Sequence, residues 1–102
     1  MFGNQASLKS LMIVCRSLSS LLEAGVDIRR AFEVAAGKTS DVSMKRQLEA
    51  ASDEIRSGAD VVTALSAAPG YFPTLLLDMI NIGEQTGTVP EVLRNYATSS
   101  TR

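Results

Sequence analysis

Histidine is absent from the 102 residues, and cysteine occurs once, at Cys15. The first absence removes the commonest general base and a principal zinc ligand. The second excludes a disulfide within the chain and suits a reducing compartment. No basic run occurs and the net charge is −1, so electrostatic attraction to nucleic acid or anionic lipid is unsupported. There is no run of about 20 consecutive apolar residues, so no transmembrane helix is expected. The opening "MFGNQASLKSLM" has no charged start leading into an apolar core and a cleavage site, and no signal peptide is expected from it. Period-2 alternation is missing and β-branched residues are scattered, which argues against strands.

What is present is apolar and helical. Apolar residues make up 45% of the chain, high for a length that fits one domain burying roughly 60–70% of its unfolded surface. Part of that surplus is expected at an interface. Ala, Leu, Ser and Glu dominate, and helix punctuation is dense.

The spacing predicts six helices. The first covers Ser7 to Ala24 and ends at Gly25, with Leu8, Leu11, Met12, Val14, Cys15, Leu18, Leu21 and Leu22 on one broad face. Ser19 lies within that face, where a small residue admits a close neighbour, and Ile13 points the other way. The second starts at Asp27 as N-cap and runs to Ala36, stopped by Gly37, burying Ile28, Ala31, Phe32 and Ala35. The third, Ser40 to Ser57, has a narrow seam of Met44, Leu48, Ala51 and Ile55. Its outer face offers the pairs Lys45–Glu49, Arg46–Glu49 and Asp53–Arg56. Gly58 ends it. A short fourth helix, Asp60 to Ala67, carries Val61, Ala64 and Leu65 and stops before Pro69-Gly70.

The fifth helix has Pro73 in its first turn. Thr74, Asp78, Asn81 and Gln85 form one narrow polar stripe, leaving an apolar arc of roughly 200°, about twice what a one-sided helix needs. That width predicts either the centre of the bundle or a self-association face, hence a homodimer. Gly83 lies opposite the stripe, and Gly87 supplies a left-handed terminator. Thr88 and Glu91 have capping-box spacing at the start of the sixth helix, with Pro90 in its first turn and Val92, Leu93 and Tyr96 following.

Few of these motifs point to chemistry. "GEQTGT" lacks the lysine of a phosphate loop, follows no strand and places a carboxylate where an anion would sit. Gly83 and Gly87 have G-x-x-x-G spacing, but Glu84 and Gln85 interrupt it, so close packing of a water-facing helix at Gly83 is the better reading than contact in lipid. Cys15 has no base to activate it and reads as a buried thiol. Zinc-type ligand sets are missing. No D-x-D-x-D-G-like loop occurs, which leaves only a dispersed carboxylate site open to Ca²⁺, and Asp53 and Glu54 read as a solvated face. Without a nucleophile, base and oxyanion-donor cluster an enzyme is disfavoured, and without a basic helix face so is a helix-turn-helix DNA binder. Arg16 lies at the edge of the first helix's apolar face, and Glu84 is flanked by apolar residues. A carboxylate there is costly unless satisfied, so Glu84 is expected to pair with Arg16 or to cap backbone N–H groups.

Taken together, "CRSLSSLLEAGVDIRRAFEVAA" and "IRSGADVVTALSAAPGYFPTLLLDMINIGEQTGTVPEVLRNYA" resemble the cytoplasmic domain of the type II secretion system protein F family. The family includes the inner-membrane platform proteins of type II secretion and type IV pilus assembly. The resemblance spans about residues 8 to 97 and is carried by Arg16, "LLEAG" ending at Gly25, Gly58-x-x-Val61-x-x-Ala64-Leu65, Phe72-Pro73 and Gly83-Glu84-x-x-Gly87. Val14 and Ser17 depart from the family's usual aromatic residue and glutamine.

The resemblance implies an all-α fold, a single six-helix bundle of short antiparallel helices over residues 7–97, between a flexible tail at 1–6 and a polar tail at 98–102. It implies a non-catalytic scaffold on the cytoplasmic face of the bacterial inner membrane, without cofactors. That scaffold would dock the assembly ATPase and other platform proteins and couple them to subunit export. Family proteins are polytopic and usually carry two copies of this domain, so membrane attachment would come from segments outside this chain. The alternative is a free-standing helical adaptor of the same fold.

Overall fold

The computed structural model describes residues 5–99. Its elements are α1 (Leu8–Glu23), α2 (Ile28–Lys38), α3 (Val42–Arg56), α4 (Val61–Ser66), α5 (Thr74–Thr86) and α6 (Val89–Ser99). The fold is all-α. Capping side chains set the starts. Ser7, Asp27, Asp41 and Asp60 each accept the backbone N–H three residues on, from Ser10, Arg30, Met44 and Thr63 at 2.8–3.2 Å. Each such cap is worth about 1 kcal/mol.

Every helix packs on its neighbours in sequence, and α6 returns to pack on α1, so the six close into a ring. The ring has no helix at its centre; side chains from all six helices fill it. The largest fully buried ones are Phe32, Leu11, Met44, Leu48, Leu76, Ile80 and Cys15. The Cα radius of gyration is 12.2 Å, close to the value of about 13 Å for a filled domain of this length. The cavity left among the core side chains is about 10 Å³, room for one water at most. That cavity is too small for any ligand larger than water.

Several expectations are corrected. α5 is not central: it touches α4 and α6, and Leu75 and Ile82 stand 63% and 59% exposed. Its apolar arc is wider than two neighbours can cover. Gly37 does not stop α2, which runs through it to Lys38. The break comes at Thr39, which turns extended and accepts the Asp41 N–H, placing Asp41 to cap α3. Pro73 precedes α5 as its N-cap, supplying an extended backbone but no side-chain acceptor. The Thr88–Glu91 capping box is not made; the Thr88 hydroxyl bonds the Thr86 hydroxyl at 2.7 Å. Of the three pairs expected on α3, only Asp53–Arg56 is made, at 3.1 Å. Leu8, in the first turn of α1, is 56% exposed despite its place on the inner face of the wheel.

At the termini, the Ala6 N–H bonds the Tyr71 carbonyl at 2.8 Å, and α6 runs on to Ser99. Residues 1–4 and 100–102 of the two expected tails lie outside the described residues.

Three side-chain hydrogen bonds tie one helix to another here. The buried Ser19 hydroxyl donates to the Pro90 carbonyl at 2.8 Å, joining α1 to the start of α6. Buried Ser52 likewise donates to the Arg29 carbonyl at 3.3 Å, joining α3 to α2. Asp41 accepts from the Ser10 hydroxyl at 2.6 Å, tying the start of α3 to α1. That hydroxyl first, then the Met44 N–H, hold the Asp41 carboxyl below the usual carboxylate range. Its contribution to stability is therefore complete above the unfolded-state value of about 3.9 and disappears as pH falls through the lower folded value. Asp41→Asn is expected to flatten the acid limb of a stability–pH profile measured by urea unfolding.

Candidate functional site

The most organised polar feature of the described residues is the carboxylate of Glu84. α5 carries it at the position after Gly83, facing the start of α4. Glu84 Oε2 accepts the Val61 N–H at 2.7 Å and Oε1 accepts the Val62 N–H at 3.2 Å. These are the first two amides of α4, which have no acceptor within their own helix. Asp60 takes the third, from Thr63. Two carboxylates from different parts of the chain thus satisfy one helix end, and the positive end of the α4 dipole favours both charges. A six-residue helix is too short to be stable alone. Glu84 fixes it to α5.

Of the two partners expected for Glu84, backbone N–H groups are the ones used. Arg16 is elsewhere, exposed on the outer side of α1 in a depression shared with Lys38.

α5 and α6 approach closely at Gly83. A Cβ there would lie 3.1 Å from Val92 Cγ2, 3.2 Å from Val89 Cα and 3.3 Å from Val89 N. Two of those atoms are backbone, so even a methyl at 83 requires the start of α6 to give by a few tenths of an ångström. Gly87 ends α5 at φ 72°, ψ 29°, a left-handed conformation costly for residues with a Cβ. Its N–H and that of Thr88 both return to the Gly83 carbonyl. The G-x-x-x-G spacing thus encodes one close approach and one reversal.

Gly83, Glu84 and Gly87 border an open depression of about 400 Å³ with Leu22, Ile28, Val61, Val89 and Pro90. Gly25 lies in the turn after α1 and Gly58 in the turn after α3, both at positive φ, and neither lines the depression. Phe72 and Pro73 belong to the α4–α5 connection. There Phe72 is buried against the core and Tyr71 meets it edge-on, ring centroids 5.0 Å apart. Of the signature residues, Gly83, Glu84 and Gly87 gather at one junction, Phe72 and Pro73 form the α4–α5 connection, Gly25 and Gly58 make separate turns, and Arg16 is exposed. Ser52 and the Ser10–Asp41 bond were missed by sequence reasoning. Buried hydroxyls that seek a neighbour's backbone look like any other serine in a sequence.

The chemistry available is limited. Burial pushes the Cys15 thiol up to about 12, so at neutral pH it is protonated and enclosed. Among the described residues no three His, Cys, Asp or Glu side chains come together to hold a metal ion. None of the described helices is long and apolar enough to cross a membrane. Both Glu84 oxygens are engaged with backbone amides, leaving the carboxylate committed to structure.

A family model, that of type II secretion system (T2SS), protein F, matches residues 14–102. The chain belongs to the type II secretion system protein F family. Relatives within and around the protein F family carry two kinds of name. The type 4 fimbrial assembly protein PilC of Pseudomonas putida is 35% identical over 82 residues, covering 80% of this chain and 20% of the relative. The type IV pilus assembly protein PilC of Thermus thermophilus is 30% identical over 96 residues, 94% of this chain and 24% of the relative. The type II secretion system protein F of Xanthomonas campestris is 32% identical over 83 residues, 80% of this chain and 20% of the relative. The chain spans about a fifth to a quarter of the length of these relatives.

Exchange of Glu84 tests the junction. Glu84→Gln keeps the shape but turns an N–H₂ group toward one of two backbone N–H donors, and is expected to lower stability by about 1–3 kcal/mol. Urea unfolding measures it. An unchanged midpoint and slope would show that the carboxylate is not holding α4.

Proposed function

We propose that the chain is a non-catalytic scaffold domain acting on the cytoplasmic face of the bacterial inner membrane, in type II secretion or type IV pilus assembly. In this reading it docks the assembly ATPase and other platform proteins, and transmits their movement through packed helices. One observation carries the proposal: the family match covers a helical ring whose best-formed polar constellation is spent on holding helices together. Ring closure supports it as well. Load applied at one helix passes to two neighbours, and the contacts at Gly83 and Ser19 leave α6 little room to slide.

The test is saturable binding of the purified chain to the purified assembly ATPase of the same organism. Binding is the expected result; its absence at concentrations well above those of the proteins in the cell overturns ATPase docking.

The exposed Leu75 and Ile82, one heptad apart on α5, extend the proposal to a homodimer. Gel filtration is expected to show a dimer at high concentration that Ile82→Glu returns to monomer. A monomer throughout would remove self-association from the account.

A further inference from the structure

The cations of the chain are unevenly used. Arg29 and Arg30 meet Glu33, Arg56 meets Asp53, and Arg94 meets Glu23 across α1 and α6. Among the described residues Lys9, Arg16, Lys38, Lys45 and Arg46 have no acidic partner. Of these five, Arg16 and Lys38 border one depression of about 300 Å³ between the outer side of α1 and the end of α2. Ser17 and Ser20 supply hydroxyls to the same walls, and Ile13 and Leu21 supply apolar surface. No carboxylate lines it. Ile13 is 49% exposed, an aliphatic side chain left in water next to two unneutralised charges.

We propose that this groove docks a carboxylate-bearing, partly apolar segment of a partner protein. The Arg16 guanidinium offers a planar fork to one carboxylate, and the Lys38 ammonium offers a point charge to the same group or its neighbour. An adjacent aliphatic side chain of the segment covers Ile13 and Leu21, while the serine hydroxyls meet its backbone. A bilayer fits less well. Two cations contribute only about 1 kcal/mol each against an anionic surface, the chain is net negative, and a concave groove cannot lie flush on a plane. The inference rests on the reading of the chain as a docking domain and names the chemistry that one of its partners presents.

Two short amphipathic peptides with identical leucine positions serve as probes, one with glutamate and one with lysine at every polar position. Each is titrated into isotopically labelled chain and followed by amide chemical shifts. The glutamate peptide is expected to shift Ile13, Arg16, Ser17, Ser20, Leu21 and Lys38 and to bind about tenfold more tightly than the lysine peptide. The double variant Arg16→Glu, Lys38→Glu is expected to reverse that preference. Both sites are exposed, and an unchanged thermal midpoint verifies the variant's fold. Equal binding of the two peptides, shifts centred elsewhere, or no shifts at millimolar peptide overturns the proposal. So does loss of sedimentation with phosphatidylglycerol vesicles in the double variant without any peptide preference, which would assign the groove to lipid. Chain and peptides alone are used, so failure here leaves the ATPase binding result standing, and failure there leaves this one.

Discussion

Phe32→Ala is expected to lower stability by about 3–5 kcal/mol, the largest loss from any single truncation considered. Phe32 is 1% exposed, on α2, and its ring reaches the centre where side chains from all six helices meet. The present cavity of about 10 Å³ shows that no slack surrounds it. Removing the ring opens space that a closed ring of helices cannot readily collapse into, because each helix is held on two sides. Domains of this size have only about 5–15 kcal/mol in total. Thermal unfolding is expected to drop by roughly 12–40 °C, at about 4–8 °C per kcal/mol. Phe32→Leu, which refills most of the volume, is expected to lose much less. Equal losses for the two would mean that the aromatic ring itself, not packing volume, matters there.

Gly83→Val is expected to cost about 2–3 kcal/mol, by overpacking rather than by cavity. The added Cβ meets the Val89 backbone at 3.2 and 3.3 Å, and the two extra methyls have nowhere to go without moving α6. Gly83→Ala is the informative control. Alanine gains about 1 kcal/mol of helix propensity over glycine, which offsets most of the strain if α6 gives by a few tenths of an ångström. The series Gly, Ala, Val should therefore run from near-neutral to strongly destabilising. A tolerated valine would contradict the close approach of α5 and α6. Because α6 closes the ring on α1, the same series reports on closure.

Much of this architecture is legible in local signals. Ser7, Asp27 and Asp60 announce helix starts by chemistry that acts within three residues, and Gly25, Gly58 and Gly87 mark ends. Ser19 reads correctly as a point of close approach because a small polar residue inside an apolar face has few other uses. What fails is whatever depends on how many neighbours a helix has. The 200° arc of α5 suggests a central helix, but periodicity measures the width of an apolar face and not whether anything covers it. Leu75 and Ile82 remain in water. Gly37 fails for a related reason: glycine ends a helix only where the chain needs a left-handed residue, and here Thr39 and Asp41 make the turn in extended conformation. Glu84 was narrowed to two partners by the cost of an unsatisfied carboxylate. Choosing between them needed the fold, since Val61 and Val62 lie more than twenty residues away in sequence. That Arg16 and Lys38 share one depression is likewise invisible until α1 and α2 are placed side by side.

The account stands on α4 being held to α5 by the Glu84 carboxylate, which lies between Gly83 and Gly87 in the chain. Amide hydrogen exchange at Val61 and Val62 reads this directly. As the first two residues of a helix, their N–H groups have no acceptor in α4 itself and would exchange at near coil rates if left alone. Marked protection of both amides in the wild type, lost selectively in Glu84→Gln while the Ile80 amide stays protected, is the predicted result. Fast exchange at Val61 and Val62 in the wild type would contradict it.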